Sequence, residues 1–526
     1  MAEHNRSKKT KVLIVTPEIT YLPAGMGNIA NKLSAKAGGM ADVSASLVAS
    51  LFNRGVDVHV ALPHYRRLFH VEVADLLDAK LEKYNVSLHR EGNSSEQRIH
   101  LAEDRTFYYR DQVYPNYYED SMNMSLVFQR EVINNIIPTV NPDLIHCNDW
   151  MTGLIPGYAR RLGIPTLFTV HNIHTQETTL ENIDNHGIDT GVFWQMLYFT
   201  RPPVNYEESR AGNKVDLLTS GIFGAHFINT VSPTFLHEMV DGYHTFIQPQ
   251  IRQEILNKFK AGCARGILNA PDPDYNPATD NSLVEKYTSA DHAMKKRTNK
   301  QEFQRQLGLA VNPNAPLFFW PSRLDPIQKG PQLLTDILYQ VVHDYWDQQL
   351  QIGIVANGAF YQYFDDIIKR HNFGERVAIC HFDERLSRLG YAGSDFILMP
   401  SGFEPCGLPQ MIGQIYGSLP IVYDTGGLHD TVRHLDLSQG TGNGFVFQYH
   451  DAAGLRWAMD QAMQFYMLPL PRREAQVARV MDEALATFNN DNTADEYVRI
   501  YEQMLQRPLI KDFTTSHHDS GSKQDK

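Results

Sequence analysis

Short apolar runs alternate with longer amphipathic stretches along this chain. They do so twice, on either side of the polar segment NAPDPDYNPATDNS that begins at Asn269. Strand–helix alternation at this spacing demands parallel sheets, because each crossover helix must carry the chain back before the next strand can start. KVLIVT from Lys11, VDVHVAL from Val56, DLIH from Asp143, PTLFTV from Pro165 and HFINTV from His226 read as one strand series. PLFFWPS from Pro316, LQIGIVA from Leu350, RVAIC from Arg376, DFILMP from Asp395 and LPIVY from Leu419 read as a second. The expected fold is α/β, two doubly wound domains with a cleft between them.

The expected limits are 11–270 for the N-terminal domain and 310–475 for the C-terminal one. A helical segment over 476–507 is expected to pack back toward the first domain. It contains a helix opened by the capping box Thr493 and Glu496. The polar tail 514–526 reads as disordered. At 526 residues the chain is too long for a single core. A net charge of −12 argues against nucleic acid as the main partner. The four cysteines form no C-x-x-C, which fits a reducing cytoplasm and neither a zinc site nor a disulfide framework. The apolar run VLIV after the basic N-terminus is too short for a signal peptide or a membrane span.

In open α/β sheets ligands bind at the carboxyl ends of strands, so the residues just after each run are the informative ones. KAGGM (36–40), Asp149, His171 and Asn172, Arg323 with Lys329, Glu404, and TGGL (425–428) all stand there. Glycines at a strand-to-helix turn let backbone N–H groups approach an anion, although a glycine pair alone is more often only a turn. Arg323 and Lys329 are two cations on a proline-containing loop, which can fold both toward one point or leave both in solvent. His171 has the alternative of a buried core histidine. Glu404 is harder to explain structurally, since a carboxylate on a buried strand–helix turn needs a partner. Cys406 reads as a small buried residue rather than a nucleophile. No acidic cluster has metal-ligand spacing.

KAGGMADV, HCNDWMTGL, TVHNI, NTVSPTF, GILNAPDPDYNP, SRLDPIQKG, PSGFEPCGLPQM and YGSLPIVYDTGGLHDTV resemble, in order, the motifs of bacterial glycogen synthases and plant starch synthases. The match runs from about Lys11 to Leu505. The resemblance implies the B-type glycosyltransferase (GT-B) fold, two Rossmann-like domains with the active site between them. It implies transfer of glucose from a nucleotide sugar, usually ADP-glucose, to the non-reducing end of an α-1,4-glucan such as glycogen. The anomeric configuration is retained, and neither cofactor nor metal is used.

Carried over to this chain, the resemblance places Lys36, Gly38 and Gly39 on the donor diphosphate and Asp42 near the sugar. Asp149, His171 and Asn172 surround the glucose and its acceptor. Arg323 and Lys329 neutralise the leaving group, and Glu404 sits at the donor glucose. The amides of Cys406, Gly407 and Leu408 hold glucose hydroxyls, Thr425, Gly426 and Gly427 bind phosphate by backbone, and Phe382 faces the adenine. The chain departs from the family pattern in places. Glu18 and Lys36 are much further apart, with Ile19 to Ala35 reading as a loop with a short helical piece. Gly402 replaces a frequent arginine, and Tyr423 and Asp424 replace a usually basic pair, which leaves UDP-glucose open as the donor. The rivals are another retaining GT-B enzyme and an inactive glucan-binding regulatory protein. Retention of Lys36, His171, Arg323, Lys329 and Glu404 together opposes the latter.

Overall fold

The computed structural model describes residues 9–27, 30, 33–69, 97–115 and 117–510, so the tail expected to be disordered lies outside the described residues. The chain divides into two compact units. The first runs through Thr230, resumes over Met239–Ile267 and takes the chain from Thr493. The second holds Val231–Glu238 and Leu268–Asn492.

The first unit carries β1 (Lys11–Val15), β2 (Asp57–Pro63), β3 (Ile99–Ala102), β4 (Leu144–Asn148) and β5 (Thr166–Val170). It continues with β6 (Glu177–Thr179), β7 (Lys214–Asp216), β8 (Phe227–Thr230) and β9 (Ala264–Gly266). Seven of these form one sheet in the order β3-β2-β1-β4-β5-β8-β9, while β6 and β7 pair separately and antiparallel. The second unit carries β10 (Leu317–Trp320), β11 (Gln351–Val355), β12 (Val377–Cys380), β13 (Phe396–Met399), β14 (Leu419–Tyr423) and β15 (Phe445–Phe447). Their order is β12-β11-β10-β13-β14-β15, all parallel. Each unit repeats the order in which a doubly wound sheet grows outward from its first strand, first to one side and then to the other. Continuous apolar runs such as VLIV and FILM are buried because helices cover both faces of a parallel sheet.

The second unit is larger than the limits 310–475 allow, and the C-terminal segment divides between the units. The helix His292–Leu307 belongs to the second unit because its buried Lys296 ammonium donates to the carbonyls of Ala392 (2.9 Å) and Tyr416 (2.8 Å), where two helices of that unit end. The helix Leu470–Thr487 buries Val480, Met481 and Ala484 in the same unit's core. Only from Thr493 does the chain join the first unit. A buried polar chain fixes it there. His146 on β4 contacts the Tyr501 hydroxyl at 2.8 Å and the Thr169 hydroxyl at 2.6 Å. Thr169 donates to Asn229, which donates to the Tyr497 hydroxyl at 3.1 Å. Burial pushes His146 down to about 3, so the ring is neutral and each nitrogen has one partner. No helix among the described residues is long and apolar enough to cross a membrane.

Removing one partner from such a chain strands the other. Tyr501→Phe should lower the first unit's stability by about 1–2 kcal/mol, and Tyr501→Ala by about 3–5 kcal/mol. Urea unfolding of both variants measures this, and equal stability of Tyr501→Phe and wild type would show that the hydroxyl contributes nothing.

Candidate active site

Where a doubly wound sheet reverses its direction of growth, chains leave adjacent strands on opposite sides and open a crevice at their carboxyl ends. In the first unit that point lies between β1 and β4, and in the second between β10 and β13. Glu18 and Asp149 follow the first pair of strands, Arg323 and Glu404 the second.

In the first unit the long Glu18–Lys36 separation is closed by a narrow neck. Ile19 and Ala35 exchange backbone hydrogen bonds of 3.0 and 2.7 Å, and Leu22, Met26 and Leu33 are buried. Residues 28–29 and 31–32 of this loop lie outside the described residues. The neck brings the chain after Lys36 back to Glu18, whose carboxylate accepts from the N–H groups of Ala37 (2.6 Å) and Gly38 (3.0 Å). Burial pushes the Glu18 carboxyl up to about 7 against the pull of those bonds. Lys36 pairs with Asp42 at 2.9 Å, at the start of the helix Gly39–Asn53.

Asp149 has φ 62° and ψ 178°, a backbone region that costs a non-glycine residue about 1–3 kcal/mol and is common at functional sites. Its carboxylate accepts from the Trp150 N–H at 2.7 Å and from the Asn172 N–H. Burial pushes it up to about 7, and the charge on Glu18 adds to the rise. His171 Nε2 lies 2.9 Å from Asn148 Oδ1, while the Asn148 amide nitrogen donates to the Val15 carbonyl. Asn148 Oδ1 is therefore an acceptor and the His171 proton sits on Nε2, which leaves Nδ1 to accept from a hydroxyl. Burial pushes His171 down to about 4, so it is neutral. The structure thus gathers Glu18, Asp149, His171 and Asn172.

In the second unit the turn from Asp325 to Gly330 is pinned against the chain at Pro400–Phe403. Gly402 N–H donates to Gln328 O at 2.9 Å, and the Gln328 amide reaches Phe403 O at 3.5 Å. Gly330 has φ +68°, and a Cβ there would lie 2.3 Å from Pro400 O, so only glycine allows this approach. The turn delivers Lys329 Nζ to within 2.5 Å of Glu404 Oε2, with both side chains largely buried. Arg323 stays exposed and has no ion pair among the described residues, so only one of the two expected cations meets Glu404. Cys406 is buried at 5% exposure, as a small core residue should be. Gly407 and Leu408 lead into the helix Pro409–Ile415. The Phe382 ring is 56% exposed, and its N–H and the His381 ring both meet Asn357 Oδ1. His381 stacks on Tyr361 at 4.4 Å.

Several of the glycine amides read as phosphate donors have acceptors within the protein in this structure. The Gly38 N–H is taken by Glu18. The Gly426 N–H and the Thr425 hydroxyl go to Glu238 at 2.9 and 3.0 Å, and the Gly427 N–H goes to Glu404 O at 2.9 Å. A turn rich in N–H donors attracts the nearest carboxylate, and both units supply one. Sequence reasoning missed Glu238 and Asn357 as site residues and weighed Glu18 only for its spacing. Glu18 stands just after a strand and was findable by the strand-end rule. Glu238 lies inside a helix and Asn357 in a loop, with no local pattern to mark either. Among the described residues no group of three or more His, Cys, Asp or Glu side chains is placed to hold a metal ion.

Residues 11–250 match the family model described as starch synthase catalytic domain. A glycogen synthase of Moorella thermoacetica is 31% identical over 522 residues, covering 95% of this chain and 98% of that one. One from Exiguobacterium sibiricum is also 31% identical, covering 89% and 95%. Among solved structures, the catalytic domain of Starch Synthase IV from Arabidopsis thaliana, bound to ADP and acarbose, superposes with a TM-score of 0.74 at 24% identity. It covers 95% of this chain and all of that one, and it shows the fold.

Glu18 and Asp149 both bind protons more tightly in the folded chain than carboxyls ordinarily do. Their contribution to stability is therefore full below the ordinary carboxyl range and is lost as pH rises through about 7. Asp149→Asn removes one of the two, so its melting temperature should fall less than that of wild type between about pH 5 and about pH 8. Calorimetry across that range checks this, and an unchanged slope would place the proton elsewhere.

Proposed function

The chain belongs to the glycogen synthase family and is a hexosyltransferase, and we propose that it transfers glucose from ADP-glucose to the non-reducing end of an α-1,4-glucan with retention of configuration. The observation that carries this reading is the buried Lys329–Glu404 pair, assembled from the two motifs SRLDPIQKG and PSGFEPCGLPQM. In transfer, the bond from the glucose C1 to the donor's phosphate oxygen breaks and a bond to an acceptor hydroxyl oxygen forms. The hydroxyl proton leaves with the departing diphosphate or to solvent. Positive charge grows on the glucose and negative charge on the diphosphate. A buried carboxylate and a buried ammonium are placed to meet one charge each, in surroundings where screening is weak.

Without donor, Lys329 and Glu404 neutralise each other. The diphosphate competes for Lys329, aided by the exposed Arg323, and leaves Glu404 to face the glucose. His171, with Nδ1 ready to accept, and the carboxylate of Asp149 are assigned to sugar hydroxyls, and exposed Phe382 to the adenine. ADP is the nucleotide seen on the starch synthase IV domain. Asp424, which stands where a basic residue is usual, pairs with His429 at 2.7 Å, so the acidic position is partly masked. Cations on the protein make a metal unnecessary, and the four cysteines are all free, which fits a cytoplasmic enzyme.

Incubation with labelled ADP-glucose or UDP-glucose and glycogen tests the function. Label should enter the polymer from ADP-glucose with a chelator present. Preference for UDP-glucose would change the donor, strict chelator sensitivity would reject metal independence, and no incorporation from either donor would overturn the proposal. Glu404→Ala should lower turnover by about a hundredfold or more. It should also destabilise the second unit by about 3–5 kcal/mol, because Lys329 is left buried and unpaired. The double variant Glu404→Gln with Lys329→Met should recover stability but not turnover. Recovery of both would show that the pair is only structural.

A further inference from the structure

We propose that the second unit holds a binding site for a phosphate group in a small cavity walled by the starts of the helices His292–Leu307 and Leu470–Thr487. The site is independent of glucose transfer. It lies at the amino end of β13, beside Asp395 and Phe396, whereas Glu404 follows the carboxyl end of that strand. The cavity has a volume of about 60 Å³. A water molecule needs about 10–15 Å³ of such space, so roughly four to six water-sized atoms fit, the size of one phosphate group.

Charge selects the ligand. Lys296, Arg297, Lys300 and Arg473 line the cavity, against the carboxylates of Asp395 and Glu474. Asp395 is already committed: its Oδ2 accepts from the Lys300 ammonium at 2.6 Å and from the Leu317 N–H at 2.8 Å. That leaves Lys296, Arg297 and Arg473 against Glu474. His292 also lines the cavity, but burial pushes its ring down, so it adds no charge at neutral pH. The excess cations stand in a partly enclosed space, where screening is weak. Their repulsion is felt at both lysines. Burial pushes Lys296 down to about 7, with the Lys300 charge adding to the fall and Asp395 opposing it. Burial also pushes Lys300 down, and there the Arg473 and Arg297 charges add to the fall. An anion in the cavity relieves that repulsion.

The placement of donors selects its shape. The Lys296 ammonium spends its protons on Ala392 O and Tyr416 O, so it acts by charge. Arg297 is exposed and has no hydrogen bond or ion pair among the described residues. Arg473 lies over the Tyr466 ring at 4.0 Å and donates from one terminal nitrogen to Tyr466 O at 2.6 Å. A guanidinium has five N–H donors, so others remain. His292 and Ala293 open one helix and Leu470 the other, and all three line the cavity. Neither helix start has a side-chain cap. Each therefore adds partial positive charge to that of the side chains. Donors converging from two arginines and two helix starts suit a tetrahedral oxyanion better than a carboxylate, whose acceptors lie in one plane.

Titration calorimetry of the full chain with inorganic phosphate tests the site, at constant ionic strength and with saturating ADP present. Wild type should bind one phosphate per chain. Arg297→Ala and Arg473→Ala should each weaken binding several-fold, Arg297→Glu should abolish it, and Glu474→Gln should tighten it. Arg473 also packs on Tyr466, so if Arg473→Ala unfolds, the variants of exposed Arg297 decide. A parallel titration with glycerol phosphate separates the sources of the group. Binding as tight as that of inorganic phosphate supports a site that takes phosphate esters, and binding of inorganic phosphate alone supports a site for the free ion. Equal affinity in wild type and both Arg297 variants overturns the proposal. So does a wild type that binds no phosphate, or one that binds it only when ADP is left out, which would put the ion on the donor's residues instead.

Discussion

A lysine ammonium and a glutamate carboxylate held together away from water set the terms for the second unit. Each ion loses hydration that its partner only partly restores, so the pair persists only where the backbone leaves the two side chains no alternative. That constraint is visible in the turn from Asp325 to Gly330. The turn is tied to the chain at Pro400–Phe403 by the Gly402–Gln328 bond and by a glycine whose Cβ would strike Pro400 O. The turn follows β10 and Glu404 follows β13, the two neighbours at the sheet's switch point. Strand order therefore brings the two loops together, and the glycine lets them approach closely enough for a 2.5 Å contact.

Anion-receptive backbone shows the same economy in both units. A turn that opens a helix presents several N–H groups at once, and leaving them bare costs stability. Glu18 satisfies the turn before Gly39, and Glu238 satisfies the turn at Thr425 and Gly426. In the proposed enzyme a phosphate group approaching either turn meets a carboxylate already in place. Glu18 and Asp149 are pushed up to about 7, so the first unit's site can shed negative charge by taking up a proton.

Much of this architecture was legible in the sequence because it follows from period and length. The ten apolar runs read as strands all are strands, since buried parallel strands need unbroken apolar stretches. The strands that escaped, β3, β6, β7, β9 and β15, are three or four residues long at sheet edges or in a separate pair, too short to show any period. The expected limits 11–270 and 310–475 leave residues 271–309 outside both domains. Lys296 and Lys300 are in fact buried, each satisfied by carbonyls or a carboxylate from far along the chain. No local pattern reports such a partner. In the site, residues just after strands were readable from position alone. The pairing of Lys329 rather than Arg323 with Glu404 depends on a turn geometry that spacing does not determine.

The departures from the family pattern are absorbed by contacts close at hand. The extra residues between Glu18 and Lys36 are looped out through the Ile19–Ala35 neck, which leaves Glu18 within 3.0 Å of the amides it serves. Gly402 stands where an arginine is frequent, and the space beside it is taken by the His450 ring. A Cβ at 402 would lie 3.0 Å from His450 Cε1, and His450 is held by a 3.0 Å contact to Pro400 O. A side chain at 402 would therefore press on His450, whose ring must give by a few tenths of an ångström while it keeps its contact to Pro400 O, at the strand end that carries Glu404. Residues 402 and 450, far apart in sequence, thus share one space beside the Glu404 turn.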